Sequence, residues 1–422
     1  MVGNRNPFDG WVHADVTEAD IYFWREHPCN PDGELRILLF REPDRVVGMS
    51  PYPEEIAKSN RLIDSFGQRT CLLLDRESLS EPMEHRIRPI IMFDSNAIDF
   101  MIHPSRAENE EKAGAGSNWD LENAIVASGY GLNIDFYVYE VFMTNGISKE
   151  VLERLVDPIE QLFKLQNCQQ EPWIRERKRV VDLNSAKQVF EEAGVKDFRG
   201  LAKVHIDMLL ARWKNGMAVT FKHWESASYV MLLKAVQLGA DSAKETVEKM
   251  ELLWEFELEV LGVSFMREKI FAALYMEGRS QPARDFIFKN IRQSGLRRKL
   301  RGSARDLLLP RFAERSLVAH LGQGEFLIPH LLTFDRPLLG LSNPIQLHHL
   351  YCRNGDRAWT VVYDFEHLRT ELLKAVSAEV LETLLSNPGR ACPEKKGLSG
   401  MEWDSLVENL ESQVSRLLRV AV

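Results

Sequence analysis

Two places in the chain run an apolar stretch into an acid and then into residues at helical spacing. The first is Ile90-Ile91-Met92-Phe93-Asp94-Ser95-Asn96, followed by Ala97, Ile98 and Phe100. The second is Leu331-Leu332-Thr333-Phe334-Asp335-Arg336-Pro337-Leu338-Leu339. Each reads as a buried strand that delivers a carboxylate at its C-terminal end and turns into a helix. In open α/β sheets that edge is where ligands bind and chemistry takes place. Two such edges in one parallel sheet would bring Asp94 and Asp335 into one crevice. Helix-borne acids can complete the set. Glu140 sits where an expected strand, Ile134–Val138, passes into a helix, and Asp306 opens the amphipathic segment Asp306-Leu307-Leu308-Leu309-Pro310-Arg311-Phe312. Asp285 and Asp207 are alternatives to Asp306.

The elements that must position these acids follow from apolar periodicity. Further strands are expected at Leu35–Phe40, Thr70–Leu74, Ile328–Thr333 and Ala358–Tyr363, and a short helix within Pro51–Phe66. The first 85 or so residues read either as a small α+β module or as strands that extend the main sheet. His103–Ser117 reads as a loop and Trp119–Ser128 as a helix. From Ser148 to about residue 300 helical spacing dominates. Val151, Leu155, Ile159 and Leu162 mark one face, and Leu201–Trp213 and Ala227–Leu238 give two more helices. Asp241 is a candidate N-cap for a long run carrying Val247, Met250, Trp254, Leu258 and Leu261, with Gly278 as its stop. Helices are also expected at Ala304–Val318, Phe365–Leu385 and Glu402–Leu418.

The four acids and their order resemble the PIN-domain nuclease family. Met92-Phe93-Asp94-Ser95-Asn96 is similar to the family's first motif, a strand ending in Asp followed by Ser or Thr. Tyr137-Val138-Tyr139-Glu140-Val141 is similar to its second, Ala304-Arg305-Asp306-Leu307-Leu308 to its third, and Leu332-Thr333-Phe334-Asp335-Arg336-Pro337 to its fourth. The chain departs from a compact PIN domain in spacing, because Glu140 and Asp306 lie on either side of the helical block. The resemblance implies an α/β fold: a PIN-like parallel-sheet core with helices on both faces, interrupted by a large all-helical insertion. The division is then an N-terminal extension at 1–87, core halves at 88–147 and 301–365, the insertion at 148–300, and C-terminal helices at 366–422.

Four carboxylates held together would raise one another's pKa and destabilise the fold unless a cation joined them. Mg²⁺ and Mn²⁺ take oxygen ligands and suit such a set. Asp94 and Asp335 are the expected primary ligands, with Glu140 and Asp306 completing the shell. Ser95, Asn96 and Thr333 are expected to donate hydrogen bonds that fix the carboxylates. The resemblance implies endoribonuclease activity leaving a 5′ phosphate, with single-stranded DNA as the second choice of substrate. Two basic clusters are candidates for phosphate contact: Arg292, Arg297, Arg298, Lys299, Arg301 and Arg305, and, behind Trp173, Arg175, Arg177, Lys178 and Arg179. Each acid also has a plain reading as a turn residue or helix cap, and each cation as a solvated charge.

The net charge of −9 argues against wholesale nucleic-acid coating but leaves room for a local basic groove. Five scattered cysteines without Cys-x-x-Cys argue against a disulfide framework or a zinc site. The polar N-terminus and the lack of a long uncharged run point to a cytoplasmic protein that does not engage membranes. The helical insertion is a candidate surface for a protein partner or for a second copy of the chain. Two other readings stand beside the nuclease: a non-catalytic PIN-like scaffold that binds nucleic acid or protein, and an unrelated α/β hydrolase acting on small phosphoesters.

Overall fold

The computed structural model describes residues 35–41, 61–63, 65–66, 70–74, 87–102, 117–176, 180–262, 265–288, 295–319, 326–353, 360–385 and 400–420. Strands β1 (Leu35–Arg41), β2 (Leu62–Ile63), β3 (Thr70–Leu74) and β4 (Ile87–Phe93) precede helix α1 (Ser95–Ile102). Helix α2 (Ser117–Ser128), strand β5 (Gly131–Asn133) and helix α3 (Asp135–Asn145) follow. The helical run then comprises α4 (Lys149–Gln166), α5 (Gln170–Glu176), α6 (Leu183–Ala193) and α7 (Phe198–Arg212). It continues with α8 (Ala218–Gly239), α9 (Thr246–Phe256), α10 (Met266–Glu277), α11 (Gln281–Phe288) and α12 (Leu296–Asp306). Helix α13 (Leu308–Ala319), β6 (Phe326–Leu332), α14 (Arg336–Ser342), β7 (Leu347–Arg353) and β8 (Thr360–Tyr363) come next. Helices α15 (Phe365–Leu372), α16 (Ala378–Leu385) and α17 (Gly400–Val420) complete the described chain.

Helices and sheet share the fold, which is α/β, but among the described residues the strands form two four-stranded sheets rather than one parallel sheet. The first has the order β2-β6-β4-β5. Within it β4 runs parallel to both β5 and β6, and β2 pairs antiparallel at the β6 edge. The second, β3-β1-β7-β8, is antiparallel throughout. The early strands are therefore divided: β2 extends the first sheet, while β1 and β3 join the late strands β7 and β8.

Strand β4 is central because its sequence is apolar on both faces. Ile91, Met92 and Phe93 are all fully buried, as expected of a strand covered on both sides. Gly131 lets β5 approach it, since a Cβ there would sit 3.1 Å from Ile90 Cγ2. In β6, Pro329 faces Ile90 of β4, and β2 pairs only with Leu331 and Leu332. The proline thus lies beyond the reach of the β2 ladder, where its missing N–H is tolerated.

Several expected elements are placed differently. Ile134–Val138 is not a strand: β5 ends at Asn133, whose side-chain oxygen accepts from Asp135 N at 3.0 Å and starts α3. Phe136, Tyr139 and Phe142 then bury at helical spacing. The Pro51–Phe66 segment is not a helix where it is described, since Leu62–Ile63 is a strand. Asp241 does not cap the long run. Its carboxylate accepts from Ala243 N at 3.0 Å in a turn, and α9 starts at Thr246. That run is also broken, by a π-helical turn at Glu257–Leu261 and by Gly262 with φ 68°. The segment Ala304–Val318 divides at Leu307, and Phe365–Leu385 divides between α15 and α16. Residues 103–116 of the expected loop lie outside the described residues.

One continuous apolar core includes residues of β4, β6, α3, α4, α8, α10 and α13. Helix α8 forms its spine, with Tyr229–Leu233, Ala235 and Val236 all buried. Among the described residues no helix is long and apolar enough to cross a membrane. An ion pair lies inside this core. Lys269 Nζ is 3.1 Å from Glu257, with side chains only 1% and 0% exposed. The ammonium also sits 3.4 Å from the centre of the Trp254 ring, and Glu257 accepts from Phe265 N. Removing one partner would strand a buried charge. Lys269→Ala is therefore expected to lower stability by about 3–5 kcal/mol, measured by equilibrium urea unfolding. A loss below about 1 kcal/mol would mean that the pair is not the tight internal contact described.

Candidate carboxylate site

Register brings the two strand-end acids together. Phe93 of β4 pairs with Leu332 of β6, so Asp94 and Thr333 leave the sheet side by side. Asp94 N donates to Leu332 O at 3.2 Å. The Thr333 hydroxyl donates to Asp94 Oδ2, and the same oxygen accepts from Asp335 N at 3.0 Å. One hydroxyl thereby links both strand ends. Each aspartate also starts a helix. Asp94 Oδ1 accepts from Ala97 N at 2.6 Å at the head of α1, and Asp335 Oδ1 accepts from Leu338 N at 3.0 Å at the head of α14. The plain reading as helix caps is thus realised, and lone pairs on each carboxylate remain for other partners.

Glu140 lies on the second turn of α3, not at a strand end. The Ser95 hydroxyl donates to its Oε1 at 3.4 Å. Asp306 does not open a helix; it is the last residue of α12. Pro310 accounts for this, since its ring clashes with the carbonyl four residues earlier and it has no N–H to offer. That carbonyl belongs to Asp306. A carboxylate at a helix C-terminus faces the negative end of the macrodipole, an unfavourable place for it.

The four acids act on one another. Burial raises the Asp94 carboxyl to about 6, with Asp335 adding to the rise, although the bonds from Thr333, Ala97 and Asn96 oppose it. Burial and then Asp94 raise Glu140 to about 7, while Ser95 and Arg305 pull it down. Asp306 is pushed well above the ordinary carboxylate range by desolvation, then by Asp335 and Glu140; Lys299 opposes this and Asp94 adds to it. The acids therefore share one electrostatic neighbourhood assembled from β4, α3, α12 and β6. Among the described residues no three His, Cys, Asp or Glu side chains converge into a ready-made metal cage.

Ser95, Asn96 and Thr333 each hydrogen-bond one of these acids. The basic cluster is placed less simply. Arg297 pairs with Glu411 of α17 at 3.0 Å, and Arg301 lies 3.9 Å from the same carboxylate and over the Tyr229 ring. Arg305 pairs with Glu225 of α8 at 2.8 Å and donates to the Thr144 hydroxyl at 3.1 Å. Lys299 and Arg305 act on Asp306 and Glu140, a countercharge role that the sequence reading did not assign. Its trace in the chain is spacing: Lys299 precedes Asp306 by two helical turns on the same face. Arg298 is exposed. Arg292, Arg177, Lys178, Arg179 and the Trp173 side chain lie outside the described residues, and Arg175 pairs with Glu171 at 2.7 Å. Neither alternative to Asp306 joins the acids as a main influence: Asp207 is exposed on α7, and Asp285 accepts from Gln281 at 2.6 Å.

No protein-family model, curated protein or solved structure matches the chain. The class defined by the fold and the site is thus no narrower than an α/β protein with four interacting carboxylates at a parallel strand edge.

A carboxyl raised in the folded state keeps its proton after the unfolded chain has lost it. For Glu140 the folded protein binds the extra proton from about the ordinary value of 4.5 up to about 7. Stability contributed by that proton is present below the window and is lost as pH rises through it. Glu140→Gln keeps an acceptor for Ser95 and removes the charge. It is expected to raise stability by about 1–3 kcal/mol at pH 8 and to leave pH 4 stability unchanged. Urea unfolding at both pH values checks this, and equal effects at the two would remove the acid cluster as its cause.

Proposed function

We propose that the chain is a metal-dependent nuclease with a PIN-like core that hydrolyses phosphodiester bonds, with RNA as the first substrate and single-stranded DNA as the second. The observation that carries this reading is the mutual action of Asp94, Glu140, Asp306 and Asp335, four acids drawn from distant parts of the chain to one sheet edge. Three of them are raised, and a site of this composition is all oxygen. That donor set fits Mg²⁺ or Mn²⁺, which favour carboxylate and water ligands. When bound, such a cation supplies charge neutralisation and Lewis acidity at a phosphodiester.

The residues of the chain do the rest. Asp94 and Asp335 would hold the cation from the two strand ends, with Glu140 and Asp306 completing the shell. The Thr333 and Ser95 hydroxyls orient Asp94 and Glu140. Glu140 holds a proton up to about pH 7 without a cation, so cation affinity should strengthen as pH rises through that range. Lys299 and Arg305 offer positive charge beside the acids for a substrate phosphate. The helical run between Glu140 and Asp306 is then available to grip substrate, a protein partner or a second copy of the chain.

A second reading has its own support. Both aspartates already serve as helix caps, and no finished metal cage is present among the described residues. Those observations favour a non-catalytic scaffold that keeps the acids for folding. Cleavage of labelled RNA and single-stranded DNA, with Mn²⁺ or with EDTA, separates the two. Wild type is expected to cleave with Mn²⁺ only, and Asp94→Asn to lose about 100-fold or more while remaining folded. Activity that survives both EDTA and the substitution would sink the metal-nuclease reading. A chain that leaves every oligonucleotide intact yet cleaves a chromogenic phosphoester would instead be a small-molecule phosphoesterase.

A further inference from the structure

A cavity of about 350 Å³ opens where α8, α10, α13 and β8 meet, and none of the four acids lines it. Trp224, Phe265 and Met266 form its apolar wall, and Tyr363, whose hydroxyl donates to Glu314, also lines it. Its charged lining is Arg267, Arg311 and Glu314. Arg267 is only 5% exposed, and its Nη2 donates to Glu314. Its Nε and Nη1 are buried with no hydrogen-bond partner. Leaving donors of a buried cation unmet costs about 1–3 kcal/mol or more, so the site gains from an acceptor brought by a ligand.

The surroundings select for negative charge. Phe265 is the N-cap of the twelve-residue helix α10; its own side chain makes no cap bond, and its N–H donates to the Glu257 carboxylate. The N–H groups that follow, at Met266 and Arg267, put the helix's positive end at the cavity wall. Arg311 crosses beside it, with its guanidinium 4.7 Å from the Phe265 ring centre, held by Glu268 at 2.6 Å through both carboxylate oxygens. Arg315 adds a further cation over Trp224 at 5.5 Å. Arg267, Arg311 and Arg315 thus meet Glu268 and Glu314 at a helix N-terminus whose N-cap N–H is taken by Glu257. The orphan nitrogens are sealed from the cavity, so a ligand reaches them only if the wall moves, and the unbranched Met266 side chain beside Arg267 is the one suited to move.

We propose that this cavity is an anion site for a phosphoryl group, seated on Arg267 and the N-terminus of α10, and separate from the carboxylate cluster. A free phosphate and a small phosphorylated nucleotide share that chemistry; the volume accommodates either, and Trp224 gives a base a ring to lie against. Neither source depends on the nuclease reading.

The test is calorimetric titration of the full chain with inorganic phosphate and, separately, with adenosine monophosphate, in EDTA. Saturable one-site binding of either is expected, with the nucleotide tighter if Trp224 takes part. Arg267→Lys, which keeps the charge but loses donors, is expected to weaken binding at least about tenfold. If that variant fails to fold, Met266→Glu carries the test. It places a carboxylate at the first position of α10, beside Arg267 and Arg311, and fills the site from within. It is expected to remain folded, checked by circular dichroism, and to abolish binding. Asp94→Asn is expected to bind as wild type does. Absence of saturable binding up to about 10 mM of both ligands overturns the proposal. So does binding that Arg267→Lys and Met266→Glu leave intact, or binding that Asp94→Asn removes.

Discussion

The parallel pairing of β4 with β6 holds the structure's two halves in register, and the Thr333 hydroxyl on Asp94 marks its end across 239 residues of sequence. Closing a loop of that length in a flexible chain costs about 5 kcal/mol of entropy before any contact rewards it. The intervening helices reduce that cost by packing into the same core rather than trailing as a loose excursion. Helix α8 is buried along most of its middle, and core residues of the sheet and of α3, α4, α10 and α13 belong to the same cluster. Strand register therefore depends on helices that carry none of the strand-end acids.

The placement of Asp306 shows how that dependence reaches the site. Arg297, Arg301 and Arg305 recur every four residues along one face of α12. Their partners here are acids: Glu411 of α17 for the first two and Glu225 of α8 for the third. Tyr229 also donates to Glu411 at 2.7 Å, so α8, α12 and α17 meet at one carboxylate. A row of contacts on one face fixes a helix's rotation as well as its position. It also fixes where the C-terminal residue of α12 points its acid. Three of the cations that look from sequence like a phosphate-binding patch also clamp, in this arrangement, the helix that delivers Asp306.

Legibility divided along the line between local and distant causes. Thr70–Leu74, the apolar run into Asp94 and the Thr-x-Asp turn were readable because each is encoded within a few residues. The helical character of the chain after Ser148 was readable for the same reason. The alternation of Ile134–Val138 fits two periods, and Asn133 decides between them by accepting from Asp135 N where the chain turns into α3. The end of α12 carried a local signal in Pro310 that pattern reading passed over. The division of the strands into two sheets carried none, since β1 finds β7 across most of the chain. The buried pairs Lys269–Glu257 and Arg267–Glu314 were equally silent, because a charge's burial is set by what packs around it.

A strand running into an aspartate that caps a helix does not by itself make a site, and the molecule contains its own comparison. At the end of β8, Asp364 accepts from His367 N at 2.9 Å and starts α15, as Asp94 starts α1. Asp364 is also buried, yet it is not among the main influences on Asp94, Glu140 or Asp306. Asp182 gives the exposed limit: it caps α6 with bonds from Asn184 and Ser185, and those bonds hold its carboxyl below the ordinary value. Asp94 has comparable bonds and the opposite shift. Hydrogen bonding alone would lower it, so burial and neighbouring charge must outweigh two good bonds. What separates Asp94 from Asp182 is therefore burial first, with the charge of Asp335 added to it. A reading confined to the strand and its turn would rank Asp364 alongside it. The charge of Asp335 on Asp94, and of Asp94 on Glu140 and Asp306, comes from residues outside that strand and its turn.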